Sequence, residues 1–262
     1  MTQPQASRIA LSSGEISYYA AGDGRPLVYL HPAGGVRWTK VQDELAKSFR
    51  LHVPVMPGFD GTAAHAPVKS MKALALLAAE FIEKTVEGPT DLIGCSFGGY
   101  LAAWLVAQRP ELVDHLVLEC PAGFRPKGYG GRPSSPEELR KLLFLHPEKL
   151  SGEEKSAEME AANRRMLSQY GYSPETDEEL LARIPSIDKL TLILHGTADR
   201  MIPMESVQLL KSRLPHAYLV YIWDAAHAIE VDQPERLLAV LKSFLERSEG
   251  FMVNWGTLAV HP

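Results

Sequence analysis

Short apolar runs alternate with longer stretches of helical periodicity along most of the chain. Glu15 to Ala20 reads as a strand closed by the turn Gly22-Asp23-Gly24, and Pro26 to Leu30 is a run of the kind buried on both faces of a sheet. Arg50 to Val55, Thr90 to Ile93, Val113 to Leu118, Leu190 to Leu194 and Ala217 to Ile222 have the same strand-like length and content. Helical patterns lie between them. Lys69 to Glu87 sets Leu74, Leu77, Phe81 and Ile82 on one face, Tyr100 to Arg109 stops before Pro110, and Met204 to Arg213 and the amphipathic Pro234 to Arg247 follow. This alternation predicts an α/β fold with a mostly parallel central sheet flanked by helices.

Gly123 to Lys189 breaks the rhythm. It holds no convincing strand, but helical stretches near Pro136 to Phe144, Gly152 to Gln169 and Pro174 to Arg183. The pattern predicts a core domain made of residues 1–122 and 190–262, carrying a helical cap insertion at 123–189. From Pro133 to Lys189 acidic residues outnumber basic ones, as suits a solvated outer face. Its point of entry, after the strand Val113 to Leu118, sets it over the carboxyl ends of the strands, where ligands bind in such sheets.

Composition narrows the class. The 262 residues, 45% hydrophobic and 23% charged, suit one large globular α/β domain. A net charge of −5 offers nothing to nucleic acid or anionic lipid. The stretch Met1 to Arg8 is polar and unlike a secretory signal, and apolar stretches such as Ala73 to Ala79 are far too short to span a membrane. Two cysteines, Cys95 and Cys120, make no disulfide framework and read as small buried thiols. A cytoplasmic protein, monomeric or homodimeric, is the expectation. No zinc-ligand spacing and no phosphate-cradling glycine loop is present, so no metal and no cofactor is expected.

The candidate chemistry centres on Gly94-Cys95-Ser96-Phe97-Gly98, between a strand and a helix. A serine flanked by glycines two positions away on each side fits a nucleophile elbow, a sharp turn that lifts the hydroxyl clear of the sheet. Such a serine needs a base, and the base needs an orienting carboxylate. Of nine histidines, His227 stands out: it lies in the small-residue loop Asp224-Ala225-Ala226-His227-Ala228, between the last strand and the last helix. Three carboxylates compete for the third role. Asp199 leads, in the turn directly after the strand Leu190 to Leu194. Glu119 ends the preceding strand. Asp224, three residues before His227, is better placed to brace the loop. His65 and His146 have no evident partner.

The order Ser96, Asp199, His227, together with His31-Pro32-Ala33-Gly34-Gly35, Pro57-Gly58-Phe59-Asp60-Gly61, Gly94-Cys95-Ser96-Phe97-Gly98-Gly99, His195-Gly196-Thr197-Ala198-Asp199-Arg200-Met201-Ile202-Pro203 and Ala226-His227, resembles the α/β-hydrolase superfamily over nearly the whole chain. The resemblance implies a capped serine hydrolase of the carboxylesterase kind, with Phe97 and Ala33 supplying the oxyanion-hole N–H groups. It also implies a substrate-approach loop at Gly34 and Gly35. The family usually has a His-Gly pair where this chain has His31-Pro32. Proline lacks an N–H, but the donor position is the following residue, Ala33. Epoxide-opening relatives use cap tyrosines, for which Tyr129, Tyr170 and Tyr172 stand by position. They attack with an aspartate, which Ser96 replaces.

The expected reaction is hydrolysis of a small to medium carboxylic ester through an acyl-enzyme. The same constellation also serves C–C bond hydrolases, lactonases and perhydrolases. A C–C hydrolase acting on a vinylogous diketone acid needs a cationic anchor, for which Arg125 or Arg164 would serve. A non-catalytic, receptor-type protein on this fold is the alternative from another class. Met159, Met166 and Leu167 read as the insertion's own core. Phe251, Met252, Val253, Trp255, Leu258 and Val260 form an apolar tail, either packed on the core or offered to a partner.

Overall fold

The computed structural model describes residues 4–130, 133–150, 155–173, 175–251, 253–254 and 259–260. Its central sheet has eight strands: β1 (Gln5–Leu11), β2 (Gly14–Ala21), β3 (Arg25–Leu30), β4 (Phe49–Pro54), β5 (Thr90–Cys95), β6 (Val113–Glu119), β7 (Leu190–Gly196) and β8 (Ala217–Ile222). Their spatial order is β1-β2-β4-β3-β5-β6-β7-β8. The β1–β2 and β2–β4 pairs are antiparallel, and all the others are parallel.

The continuous apolar runs are buried on both faces, and period-2 geometry deals their residues to two layers. Val28, Leu30, Leu92, Leu116, Leu118 and Ile193 enter one core layer. Leu27, Tyr29, Ile93, Val117, Leu192 and Leu194 enter the other. The first layer is covered by α2 (Met71–Thr85) and α3 (Phe97–Gln108), where Leu74, Leu77, Phe81 and Ile82 are buried as their spacing predicts. The second is covered by α1 (Lys40–Leu45) and the late helix Pro234–Arg247.

Two elements escape the sequence pattern. Strand β1 is an edge strand with one fully buried residue, Leu11, so its composition stays polar. Helix α1 is only six residues long, too short for periodicity, but Thr39 and Gln42 form the reciprocal capping box that marks its start. Helix α3 begins at Phe97, earlier than the Tyr100 start its pattern suggests, because the elbow turns directly into it. The glycines that look like a break fill its first turn.

Between β6 and β7 lie α4 (Pro136–Leu143), α5 (Ala157–Gln169) and α6 (Glu178–Arg183). The expected starts at Gly152 and Pro174 fall outside the described residues; Ser156 and Asp177 are the observed N-caps. This segment is fastened to the sheet. Tyr170, Leu180, Ile184 and Ile187 belong to the first core layer, and Asp177 accepts hydrogen bonds from Tyr100 Oη (2.5 Å) and Trp104 Nε1 (2.9 Å) of α3. Met166 and Met159 point onto the Pro57–Gly61 loop, packing at Gly58 and Gly61, rather than into a core of the segment's own.

The rest of the chain comprises α7 (Met204–Arg213), α8 (Ile229–Asp232) and α9 (Pro234–Arg247). The tail forms a two-residue ladder, Val253–Asn254 with Ala259–Val260, and Met252, Trp255 and Leu258 lie outside the described residues. Among the described residues no helix is long and apolar enough to cross a membrane.

Candidate active site

The parallel register brings the motif-bearing loops to one edge. Leu30 pairs with Gly94, Gly94 with Leu118, Glu119 with Leu194 and Gly196 with Ile222, so the loops after β3, β5, β6, β7 and β8 leave the sheet side by side. Ser96 sits on the sharpest of these turns, with φ 53° and ψ −110°, a conformation that costs a non-glycine residue of order 1–3 kcal/mol. Its N–H donates to the Glu119 carbonyl (2.8 Å), and its carbonyl accepts from Tyr100 N (3.0 Å) and Ala122 N (3.0 Å). These bonds hold the strained turn in place. Side chains at Gly94 and Gly98 would strike the Gly98 and Leu30 carbonyls, which is why both flanking positions are glycine.

His227 Nε2 lies 2.9 Å from Ser96 Oγ, and His227 Nδ1 lies 2.8 Å from Asp199 Oδ2. A carboxylate only accepts, so Nδ1 carries the proton and Nε2 accepts from the serine hydroxyl. The other Asp199 oxygen accepts from Met201 N (2.7 Å) and Ile202 N (3.0 Å). Burial works to raise the Asp199 pKa, but His227 and these donors outweigh it and hold the carboxyl below its ordinary value. Burial likewise works to lower His227, and Asp199 reverses this, leaving the imidazole above its ordinary pKa. Ser96 and His227 are only 8% and 4% exposed, so the pair is nearly sealed from solvent.

The rival carboxylates have other partners. Asp224 Oδ2 meets His146 Nε2 (2.9 Å) and Gln233 Nε2 (2.7 Å), bracing the loop. Glu119 is buried behind the elbow with Cys95 and Glu230, their ligand atoms all within 4.8 Å of one another. Burial first, and then Glu230, pushes the Glu119 carboxyl well above its usual value. Glu119 Oε1 and Glu230 Oε2 have no other hydrogen-bond partner among the described residues. Both cysteine thiols are free, buried and pushed up in pKa by that burial, the state of inert packing residues.

The Pro32–Val36 loop is pinned from two sides. On one side His31 Nδ1 donates to the Pro32 carbonyl (2.8 Å) while Nε2 accepts from Met56 N (3.1 Å), which fixes a neutral tautomer. Burial brings the His31 pKa down to about 4. Gly35 N also donates to the Pro32 carbonyl (2.9 Å), so the N–H of Ala33, trans to that carbonyl, points away from the turn. Phe97 is the first residue of α3, and its N–H has no acceptor within the helix. His31, Phe97 and Tyr170 all pack around Phe59, at ring-centroid distances of 4.9, 5.3 and 6.4 Å.

On its other side the loop meets residues that sequence reasoning missed. Asp60 Oδ2 accepts from Val36 N (2.8 Å). Its Oδ1 accepts from Lys155 Nζ and from Asn163 Nδ2 (2.9 Å). Asn163 Nδ2 (2.8 Å) and Lys155 Nζ (2.9 Å) both also donate to the Gly34 carbonyl, and Asn163 Oδ1 accepts from Asp60 N (2.8 Å). Burial favours a raised Asp60 pKa, yet the Lys155 and Asn163 hydrogen bonds bring it below the ordinary range. Gly35, at φ +83°, has no room for a Cβ, which would strike Asp60 Oδ1.

Several singled-out residues have structural partners. His65 is held by Ser13 Oγ (2.7 Å) and the Glu15 carbonyl, and Tyr170 donates to the Pro57 carbonyl (2.5 Å). Tyr129 is exposed. Tyr172 lies 6.1 Å from Phe97 by ring centroids, and burial raises its pKa to about 12. Arg125, close enough to Tyr172 to oppose that shift, has a buried Nε with no hydrogen-bond partner among the described residues. Arg164 is paired with Glu160 on α5.

A serine on a strand-to-helix elbow, in contact with a histidine and a buried aspartate from later strand ends, is the arrangement of a hydrolase. A family model described as "Alpha/beta hydrolase family" matches residues 27–240, and the chain belongs to that family. It is 27% identical over 290 residues to a 2-hydroxymuconate semialdehyde hydrolase of Pseudomonas sp. (strain CF600), covering 96% of this chain and 98% of that protein. It is 25% identical over 258 residues to a pimeloyl-[acyl-carrier protein] methyl ester esterase of Aeromonas hydrophila, covering 88% and 99%. Among solved structures, a 2-hydroxy-6-oxo-6-phenylhexa-2,4-dienoate hydrolase from Rhodococcus sp. strain RHA1 superposes with a TM-score of 0.79 at 19% identity, covering 94% of this chain and all of that one.

Proposed function

We propose that the protein is a serine hydrolase that cleaves a carboxylic ester through an acyl-enzyme, with the α4–α6 segment as its cap. The observation that carries this reading is the unbroken contact from Ser96 Oγ through His227 to Asp199, at 2.9 and 2.8 Å. Ser96 attacks the acyl carbon while His227 Nε2 takes its proton, and Asp199 stabilises the imidazolium. The N–H groups of Phe97 and Ala33 hold the oxyanion. His227 then protonates the departing alcohol and activates the water that releases the acid. The enzyme works in the cytoplasm as a monomer or homodimer. A fluorophosphonate probe tests the reading directly: it should form an adduct on Ser96, and Ser96→Ala should abolish turnover of p-nitrophenyl esters. No adduct on the folded protein would assign it a binding role instead.

A second reading is hydrolysis of a C–C bond in a vinylogous diketone acid. The Arg125 guanidinium near Tyr172, whose buried Nε has no hydrogen-bond partner among the described residues, supports it, as does the similarity to the Pseudomonas 2-hydroxymuconate semialdehyde hydrolase. Arg164, paired with Glu160, is the weaker anchor. Turnover of such a dienoate by the native protein, lost in Arg125→Met while p-nitrophenyl acetate hydrolysis persists, would favour this reading over the ester.

A further inference from the structure

We propose that Asn163 and Lys155 are positioning residues for the oxyanion loop, so that seating α5 on the sheet edge and ordering the Pro32–Val36 loop are one event. The inference rests on the serine-hydrolase reading, since it concerns the loop that carries Ala33.

The loop's first half is fixed by the core alone. His31 and the Gly35 N–H hold the Pro32 carbonyl, and His31 is anchored in turn by the Met56 N–H. Its second half has a different support. Among the described residues the Gly34 carbonyl accepts only from Asn163 and Lys155, and the Val36 N–H donates to Asp60, whose other oxygen is held by the same two side chains. Ala33 lies between the halves. Withdrawing α5 therefore leaves the Gly34 carbonyl without a donor and frees Asp60 to turn, while Pro32 stays where it is.

The amide of Asn163 fits one orientation. Its oxygen faces the Asp60 N–H and its nitrogen faces two acceptors, and the side chain is fully buried. Asn163→Asp keeps the shape and replaces the donor with an acceptor facing Gly34 O and Asp60 Oδ1, a buried arrangement with no favourable pairing. Lys155 supplies charge rather than shape, and Lys155→Arg preserves it.

The decisive measurement compares steady-state ester hydrolysis with inhibition by a trifluoromethyl ketone, which forms a tetrahedral adduct on the serine and needs the oxyanion donors. Loss of a donor outright costs on the order of 10² to 10³ in kcat. A misplaced donor is expected to cost about 10- to 100-fold in Asn163→Ala and Lys155→Met, and more in Asn163→Asp, with KM little changed. The ketone's Ki should rise by the same factor as kcat/KM falls, and Lys155→Arg should restore both.

The proposal is overturned if folded Lys155→Met and Asn163→Ala hydrolyse the ester within twofold of wild type, or if kcat falls while the ketone binds as before. It is also overturned if activity declines only in step with the folded fraction by circular dichroism, the signature of a purely structural contact. Failure of the underlying reading looks different: the wild-type protein itself would give no Ser96 adduct.

Discussion

The α4–α6 segment grips the sheet's carboxyl edge at two places, and the grips are made of different material. At the His227 loop the segment offers backbone groups, held largely by one buried carboxylate. Asp232, fully buried, accepts from the N–H groups of Leu145 (3.0 Å), His146 (2.8 Å) and Ala226 (2.8 Å), and Ala228 N donates to the Leu143 carbonyl (2.9 Å). Phe144, Ala228 and Val231 close a small apolar cluster around it. At the oxyanion loop the grip is side chain: Lys155 and Asn163 reach across to Gly34 and Asp60. Backbone donors cannot leave without unfolding their segment. Side chains can let go by rotation. On the proposal above, the second grip therefore sets when the oxyanion loop is ordered.

Changes to the relay common to both grips should have the largest effect. Ser96→Ala or His227→Ala should lower kcat on the order of 10⁶-fold, and Asp199→Asn about 10⁴-fold, with both grips and the melting temperature nearly intact. If Glu119→Gln rather than Asp199→Asn abolishes turnover, the assignment of the acid is wrong. Next comes the backbone grip. Asp232→Ala strips the fully buried carboxylate from three backbone N–H groups and should destabilise the fold by about 3 kcal/mol in chemical denaturation, activity falling with it. Asn163→Ala should show the reverse: about 10- to 100-fold in kcat and a stability change of about 1 kcal/mol. Equal stability losses at the two grips would erase the distinction drawn between them.

Smaller effects follow from protonation. Turnover requires neutral His227, whose pKa lies above its usual value, so kcat/KM should fall on the acid side with a midpoint above about 6.5. The Asp199→Asn remnant activity should shift that midpoint downwards. Stability has two opposed slopes. His31, at about 4 when folded, binds its proton less readily than in the unfolded chain, so its share of stability is lost as pH falls from about 6.5 towards 4. Glu119 is raised, so its folded form keeps a proton that the unfolded chain releases. Stability then declines as pH rises above the ordinary glutamate range, by at most about 1.4 kcal/mol per pH unit. Glu119→Gln should flatten that decline in denaturation curves run from pH 5 to 9.

Sequence alone carries most of the sheet and the relay, because both leave local marks. Strands buried on two faces are continuous apolar runs. The elbow needs its glycines, and Asp199 and His227 each follow a strand directly. The grips leave no such mark. Asn163 meets Asp60 across 103 residues, and nothing in a polar helix position says which carboxylate it will face. Asp232 and Glu230 sit within a short loop-like stretch, where a buried acid looks like a solvated one until its donors are known. The edge strand β1 hides for the opposite reason: it buries too little to need an apolar pattern.

The left-handed backbone has a wider consequence. Among the described residues, five non-glycine positions have positive φ, and four of them, Asp60, Ser96, Cys120 and Asp224, lie on loops leaving the carboxyl ends of β4, β5, β6 and β8. The conformational tension of the molecule is thus gathered along a single rim, the one that holds the reactive serine. At Ser96, whose side chain holds none of the fold's braces, replacement by glycine relieves that tension and removes the nucleophile together. Selection for robustness and selection for turnover then pull the same codon in opposite directions.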